Sequence, residues 1–222
     1  MLPLRTDVIL KWVKGPSVLD VGCTGHALEI GSPKWLHGRL RERFPTVVGI
    51  DISAENIEAL KQHGFSNLYV QSAECFELAE KFDTIVAGEL IEHLANPGLF
   101  LEHARTHLKP TGKVVITTPQ PFSLLDITYA LFKFPRTCQN LQHTCWFCPQ
   151  TMKELVERTG LKIEHFELVD DYPPGSPSRG YRAFVALRKC LGFLLPRLLA
   201  KNAMLFVLAL SNGIPSNGAG TQ

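Results

Sequence analysis

Short apolar runs alternate with segments of helical periodicity along most of the chain. Runs at 17–21, 47–50, 67–70, 82–87, 113–118, 162–168 and 203–210 have the length and β-branched content of strands. The first is apolar enough for burial on both faces, as parallel strands require. Between the runs, helical spacing covers 5–14 and 35–43. Ser53 is placed to cap a helix with Ile57 and Leu60 inward, and Gly64 to end it. Asn96-Pro97 opens another helix, with Phe100, Ala104 and Leu108 at i, i+4 and i+8. Pro110-Thr111-Gly112 reads as the turn into the fifth strand, and a helix at 150–159 is closed by Gly160. The pattern predicts an α/β fold: a mostly parallel sheet with helices on both faces, finished by an antiparallel pair. Ligands then bind at the carboxyl ends of the strands, near the switch point.

The 222 residues suit one domain over 1–210, followed by a flexible Gly-, Ser- and Asn-rich tail at 211–222. A net charge of +2 argues against a general nucleic-acid partner. Six scattered cysteines and no secretory apolar core in 1–14 predict reduced thiols and a cytoplasmic protein. The apolar tract 184–210 is interrupted by Arg188, Lys189, Arg197 and Lys201, so no transmembrane helix is expected. Residues 179–201 carry six basic and no acidic side chains, interleaved with apolar ones. Two readings remain for this stretch, a peripheral contact with an anionic membrane and a solvated helix with one apolar face.

Two strand ends carry candidate chemistry. Val18-Leu19-Asp20-Val21 breaks into Gly22-Cys23-Thr24-Gly25, a turn that lets a ligand approach the backbone, and Val47-Val48-Gly49-Ile50 ends in Asp51, placed to accept ribose hydroxyls. Their separation of 29 positions exceeds the roughly 20 of a dinucleotide fingerprint. A nucleoside cofactor follows. A nicotinamide dehydrogenase does not, because no hydride-transfer residue is found.

These segments, with Gln71-Ser72-Ala73-Glu74, Phe82-Asp83-Thr84-Ile85-Val86-Ala87, Glu89-Leu90-Ile91-Glu92-His93-Leu94, Leu108-Lys109-Pro110-Thr111-Gly112 and Ile116-Thr117-Thr118-Pro119, resemble the class I S-adenosylmethionine-dependent methyltransferases. The resemblance implies a Rossmann-like seven-stranded sheet with S-adenosylmethionine as cofactor. It implies a cofactor site of Asp20, Gly22, Cys23, Thr24, Gly25, Asp51, Ile52, Ser72, Ala73, Glu74, Ala87, Gly88 and Glu89. The first turn departs from the family's glycines at alternate positions, having Gly22, Thr24 and His26 there and Gly25 out of phase. Ser72 stands where many relatives have an aspartate for the adenine amino group.

Glu89, Glu92 and His93 form Glu-x-x-Glu-His, whose members share one face if the segment is helical. With His143 they are similar to the four positions that hold a divalent metal in O-methyltransferases of quinone biosynthesis and small-RNA end modification. A Mg ion is then the expected metal. Without one, Glu89 touches the cofactor, Glu92 caps a helix, and His93 or His143 is the general base. A zinc site at Cys138, His143, Cys145 and Cys148 is a competing reading, weakened by Trp146 and Phe147 between the last two cysteines and by the absence of a second Cys-x-x-Cys pair. Residues 119–148, apolar and aromatic, read either as a lid over the acceptor or as a helical hairpin that covers the sheet. Three functions stay open: methylation of a hydroxyl on a small-molecule, sugar or glycan-linked acceptor, metal-assisted methylation of a catechol or quinol, and an idle S-adenosylmethionine-binding protein that acts through a partner.

Overall fold

The computed structural model describes residues 4–25, 29–132, 140–169 and 201–211. Its strands are β1 (Ser17–Val21), β2 (Thr46–Asp51), β3 (Leu68–Val70), β4 (Phe82–Gly88), β5 (Leu108–Pro119), β6 (Leu161–Val169) and β7 (Ala203–Leu210). The helices are α1 (Arg5–Trp12), α2 (Leu36–Arg41), α3 (Ala54–Gln62), α4 (Pro97–Thr106), α5 (Leu124–Phe132) and α6 (Pro149–Arg158), with one 3-10 turn at Ile91–His93. All seven strands join one sheet in the order β3-β2-β1-β4-β5-β7-β6. The first five pair in parallel, and β7 is antiparallel to both of its neighbours. The Rossmann-like expectation, with its antiparallel finish, holds.

Alternation along the strands decides which helices pack where. Leu19, Ile85 and Ile116 join Phe100, Leu101 and Ala104 of α4 and Met152 and Val156 of α6. Their neighbours Val18, Val86 and Val115 instead join Val8, Ile9 and Leu10 of α1. Burying both faces of the central strands removes apolar area worth about 25 cal/mol per Å2 from water. Helix ends follow local chemistry as well. The Ser53 hydroxyl accepts from the Asn56 N–H at 3.2 Å to start α3, and Pro97 and Pro149 occupy the first turns of α4 and α6.

The fifth strand is longer than expected. Phe82 pairs with Leu108 and Thr84 with Lys113, so Pro110-Thr111-Gly112 is an irregularity inside β5 rather than a turn before it. The strand order reverses between β1 and β4, which brings the segments after Val21 and after Gly88 side by side at the carboxyl rim. No helix among the described residues is long and apolar enough to cross a membrane. The basic stretch lies outside the described residues except Lys201, whose Nζ donates to the Leu168 carbonyl at 2.7 Å. The tail from 212 onward also lies outside them.

Candidate active site at the carboxyl rim

The turn after β1 continues the ladder before it breaks away. Gly22 and Cys23 N–H groups donate to the Ile50 carbonyl at 2.8 and 3.2 Å, and the Gly25 N–H closes back on the Gly22 carbonyl at 3.2 Å. Gly22 has φ +81°, and a Cβ there would lie 3.2 Å from Leu90 Cδ1. The position therefore suits glycine and leaves bare backbone at the rim. Cys23 is buried, and burial together with the Asp20 and Asp51 charges pushes its thiol up, keeping it an inert packing group. Asp20 lies below the turn, its Oδ2 3.0 Å from His37 Nδ1, with both residues buried.

Asp51 ends β2 at the same rim. Its Oδ2 accepts from the Thr24 N–H at 3.1 Å and the Thr24 hydroxyl at 2.8 Å, and its Oδ1 accepts from the Ser53 N–H at 2.9 Å. Beside it Ile52 is 77% exposed, an unusual setting for isoleucine and a ready surface for a purine ring. Ser72 and Glu74 are engaged locally. The Ser72 hydroxyl accepts from the Glu74 N–H at 3.2 Å, and the Glu74 carboxylate accepts from Asn96 N at 3.0 Å and Asn96 Nδ2 at 3.2 Å. The Asn96 backbone N–H holds the Glu74 carboxyl below its ordinary value. Ala73 packs against the core between them. The turn, the carboxylate and the exposed isoleucine fit the nucleoside half of S-adenosylmethionine.

At the end of β4, Ala87 is buried and Gly88 half-buried, and Glu89 adopts φ 52°, outside helical space. This left-handed residue breaks the assumed helical turn, which begins only at Ile91, so Glu89 does not share a helical face with Glu92 and His93. Glu89 Oε2 instead lies 3.5 Å from Arg5 Nη1 on α1. Its backbone N–H donates to the Thr117 carbonyl at 2.9 Å.

Glu92, His93 and His143 do converge, offering three ligand atoms within 4.8 Å of one another. Glu92 is 2% exposed. Its Oε2 accepts from the Thr118 hydroxyl at 3.0 Å, whereas Oε1 is buried with no hydrogen-bond partner among the described residues. Burial, reinforced by the Glu89 charge, raises the Glu92 carboxyl to about 8. The His93 ring meets that of His143 edge-on, centroids 4.7 Å apart, and His93 Nδ1 lies 3.2 Å from the Gln142 carbonyl. With Nδ1–H donating there, the imidazole lone pair is on Nε2. The segment carrying His143 is tied down by Thr144, whose N–H and hydroxyl donate to the Glu92 carbonyl at 2.8 and 3.0 Å. One carboxylate and two imidazoles in this spacing fit a divalent ion such as Mg, Mn or Zn. Of the four expected ligands the structure gathers three.

Cys138 lies outside the described residues, and Cys145 and Cys148 do not join the cluster. Sequence reasoning missed Arg5, His37 and Thr144. None carries a local signal, since each acts on a residue far away in the chain. In the segment expected to form a lid, α5 is flanked by exposed Phe122 and ends in exposed Leu131 and Phe132, and residues 133–139 lie outside the described residues.

Comparison with known proteins follows the same lines. A family model described as a methyltransferase domain matches residues 5–166. The ubiquinone biosynthesis O-methyltransferase of Nitrobacter winogradskyi is 30% identical over 169 residues, covering 69% of this chain and 59% of the relative. The mitochondrial ubiquinone biosynthesis O-methyltransferase of Rattus norvegicus is 32% identical over 168 residues, covering 69% of this chain and 46% of the relative. The chain thus spans about half the length of the curated relatives it matches. A crystal structure of a methyltransferase dependent on S-adenosylmethionine from Archaeoglobus fulgidus shares the fold, with a TM-score of 0.61 at 21% identity over 92% of this chain and 90% of that one.

Proposed function

The chain belongs to the class I S-adenosylmethionine-dependent methyltransferase family, and we propose that it transfers the sulfonium methyl of that cofactor to a hydroxyl of a catechol- or quinol-type acceptor. One observation carries the metal assistance. Glu92 keeps a buried carboxylate oxygen without a hydrogen bond among the described residues, in ligand range of two imidazoles. An unsatisfied buried acceptor costs about 1–3 kcal/mol, more when charged, and a cation at this point offsets that cost. That these relatives are ubiquinone biosynthesis O-methyltransferases supports an acceptor from ubiquinone chemistry, and the sugar or glycan-linked expectation has no counterpart among them.

Glu92, His93 and His143 would hold the divalent cation. When bound, it supplies positive charge that lowers the pKa of an acceptor hydroxyl and orients the oxygen for in-line attack on the methyl. The chain's own groups prepare that geometry. Thr118 fixes one Glu92 oxygen, the Gln142 carbonyl selects the His93 tautomer, and Thr144 ties the His143 segment to the Glu92 backbone. At the cofactor end, Gly22 admits the methionyl portion to the backbone, Asp51 accepts from the ribose and Ile52 packs on the adenine. Ser72 and the backbone of the 71–74 turn border the adenine amino group, because the Glu74 carboxylate is taken by Asn96. Glu89 and Arg5, already paired, match the ammonium and carboxylate of the methionyl end.

Calorimetric titration of the metal-stripped chain with S-adenosylmethionine, with and without Mg, tests both parts, followed by methyl transfer to a simple catechol. Binding of the cofactor alone, and transfer that requires the added ion, are expected. Full turnover in the presence of a chelator would falsify the metal-assisted version, and absence of cofactor binding in every condition would remove the enzyme reading.

A further inference from the structure

We propose that Thr24 is a specificity-determining residue that occupies part of the ribose site, so that Asp51 holds the cofactor through a single ribose hydroxyl. The inference rests on the cofactor reading above and concerns how this chain departs from it. A carboxylate has about four acceptor positions. Three of those on Asp51 are filled from within the described chain: the Thr24 N–H and hydroxyl both reach Oδ2, and the Ser53 N–H reaches Oδ1. One position on Oδ1 is left, whereas a ribose diol presents two donors.

The Thr24 hydroxyl is placed to keep its share. Thr24 is 1% exposed, so its side chain is not solvated. At 2.8 Å its bond to Asp51 is the shortest of the three, and Asn56 Nδ2 donates to the same hydroxyl from α3 at 3.4 Å. A glycine at this position would offer the N–H contact without the hydroxyl, leaving two acceptor positions open. The Thr24 side chain, rather than the length of the turn, therefore sets how strongly the site prefers a ribose to a deoxyribose.

The test is titration calorimetry of the full chain, its Thr24→Ser and its Thr24→Ala variants with S-adenosylhomocysteine and with the 2′-deoxy form of that compound. The parent and Thr24→Ser, which keeps the hydroxyl, are expected to bind both ligands with affinities within about threefold of each other. Thr24→Ala is expected to bind S-adenosylhomocysteine about five- to tenfold tighter and to favour it over the deoxy form by a similar factor, on the scale of one typical net hydrogen bond. A structural defect weakens both ligands together and creates no preference between them. Equal preference in all three proteins overturns the role of Thr24 while leaving the cofactor reading intact. Failure of all three to bind either ligand overturns both.

Discussion

Asp83 near the start of β4 and Glu92 in the 3-10 turn beyond its end are carboxylates that the fold treats in opposite ways. At the amino end, Asp83 Oδ2 accepts from the Ser17 N–H at 3.0 Å, the Ser17 hydroxyl at 2.9 Å and Lys109 Nζ at 2.9 Å. Burial alone would raise Asp83, but Lys109 and Ser17 outweigh it and hold the carboxyl below its ordinary value. Gly15 clears the space, since a Cβ there would fall 2.2 Å from Asp83 Cβ. At the carboxyl end, Glu92 is more deeply buried, has one oxygen satisfied and is raised to about 8. The same sheet thus loads one Asp83 oxygen with three donors at one rim and, among the described residues, leaves a buried Glu92 oxygen without one at the other. A buried acceptor left open costs stability, and a binding group recovers that cost only when it arrives.

The largest effect that would break this contrast is at Glu92. Glu92→Gln should cut divalent-ion affinity and metal-assisted turnover by at least the 10- to 100-fold that even outer partners of a metal contribute, while calorimetric binding of the cofactor persists. In the metal-stripped protein the same change should stabilise at high pH. Glu92 is raised on folding from 4.5 to about 8, so the native state holds its proton more tightly. That contribution is complete below about pH 4.5 and disappears as pH rises through 8. Thermal unfolding at pH 6 and pH 9 should show a smaller loss for Glu92→Gln than for the parent. An equal loss would mean that Glu92 is ionised and satisfied like Asp83.

Asp20 sharpens the comparison, because it is a buried carboxylate near the open rim that does have a partner. Removing that partner with His37→Ala should cost about 3–5 kcal/mol, as breaking buried pairs does. His37→Gln should restore part of this through its amide donor. If chemical denaturation finds His37→Ala within 1 kcal/mol of the parent, roughly a factor of five in the folding equilibrium, the carboxyl rim as a whole tolerates unpaired carboxylates and Glu92 is not special.

The strands and most helices were legible because burial imposes periods of two and 3.6 directly on the apolar positions, as Val18 and Leu19 illustrate by facing opposite layers. β5 was read short because Pro110 and Gly112, ordinary turn residues, here form an irregularity that the ladder resumes beyond. Glu92 and His93 were grouped on the premise of a helical turn from Glu89, and His143 was added by resemblance to metal-dependent O-methyltransferases rather than by any local pattern. Glu89 misled, since its positive φ reverses the chain where a helical turn was assumed. The groups that hold the cluster were not visible: Thr144 reaches Glu92 across 52 positions. Such contacts are products of the sheet order, which local pattern does not encode.

The smallest expected effect lies at the closed rim. Asp83→Asn keeps the shape but weakens the charge-assisted bonds from Ser17 and Lys109, costing about 1–2 kcal/mol near neutrality, with Lys109 partly exposed and its share correspondingly screened. Because folding lowers the Asp83 pKa beneath 3.8, its stabilisation is complete above that value and fades as pH falls through the lower native one. The gap between parent and Asp83→Asn in urea midpoints should therefore be constant from pH 5 to 7 and close below about pH 3.8. Cofactor and metal affinity should not change, because the whole length of β4 separates this carboxylate from the other rim. Any loss of affinity would show that the two ends are coupled through β4, and that satisfying Asp83 is part of how the open rim is held ready.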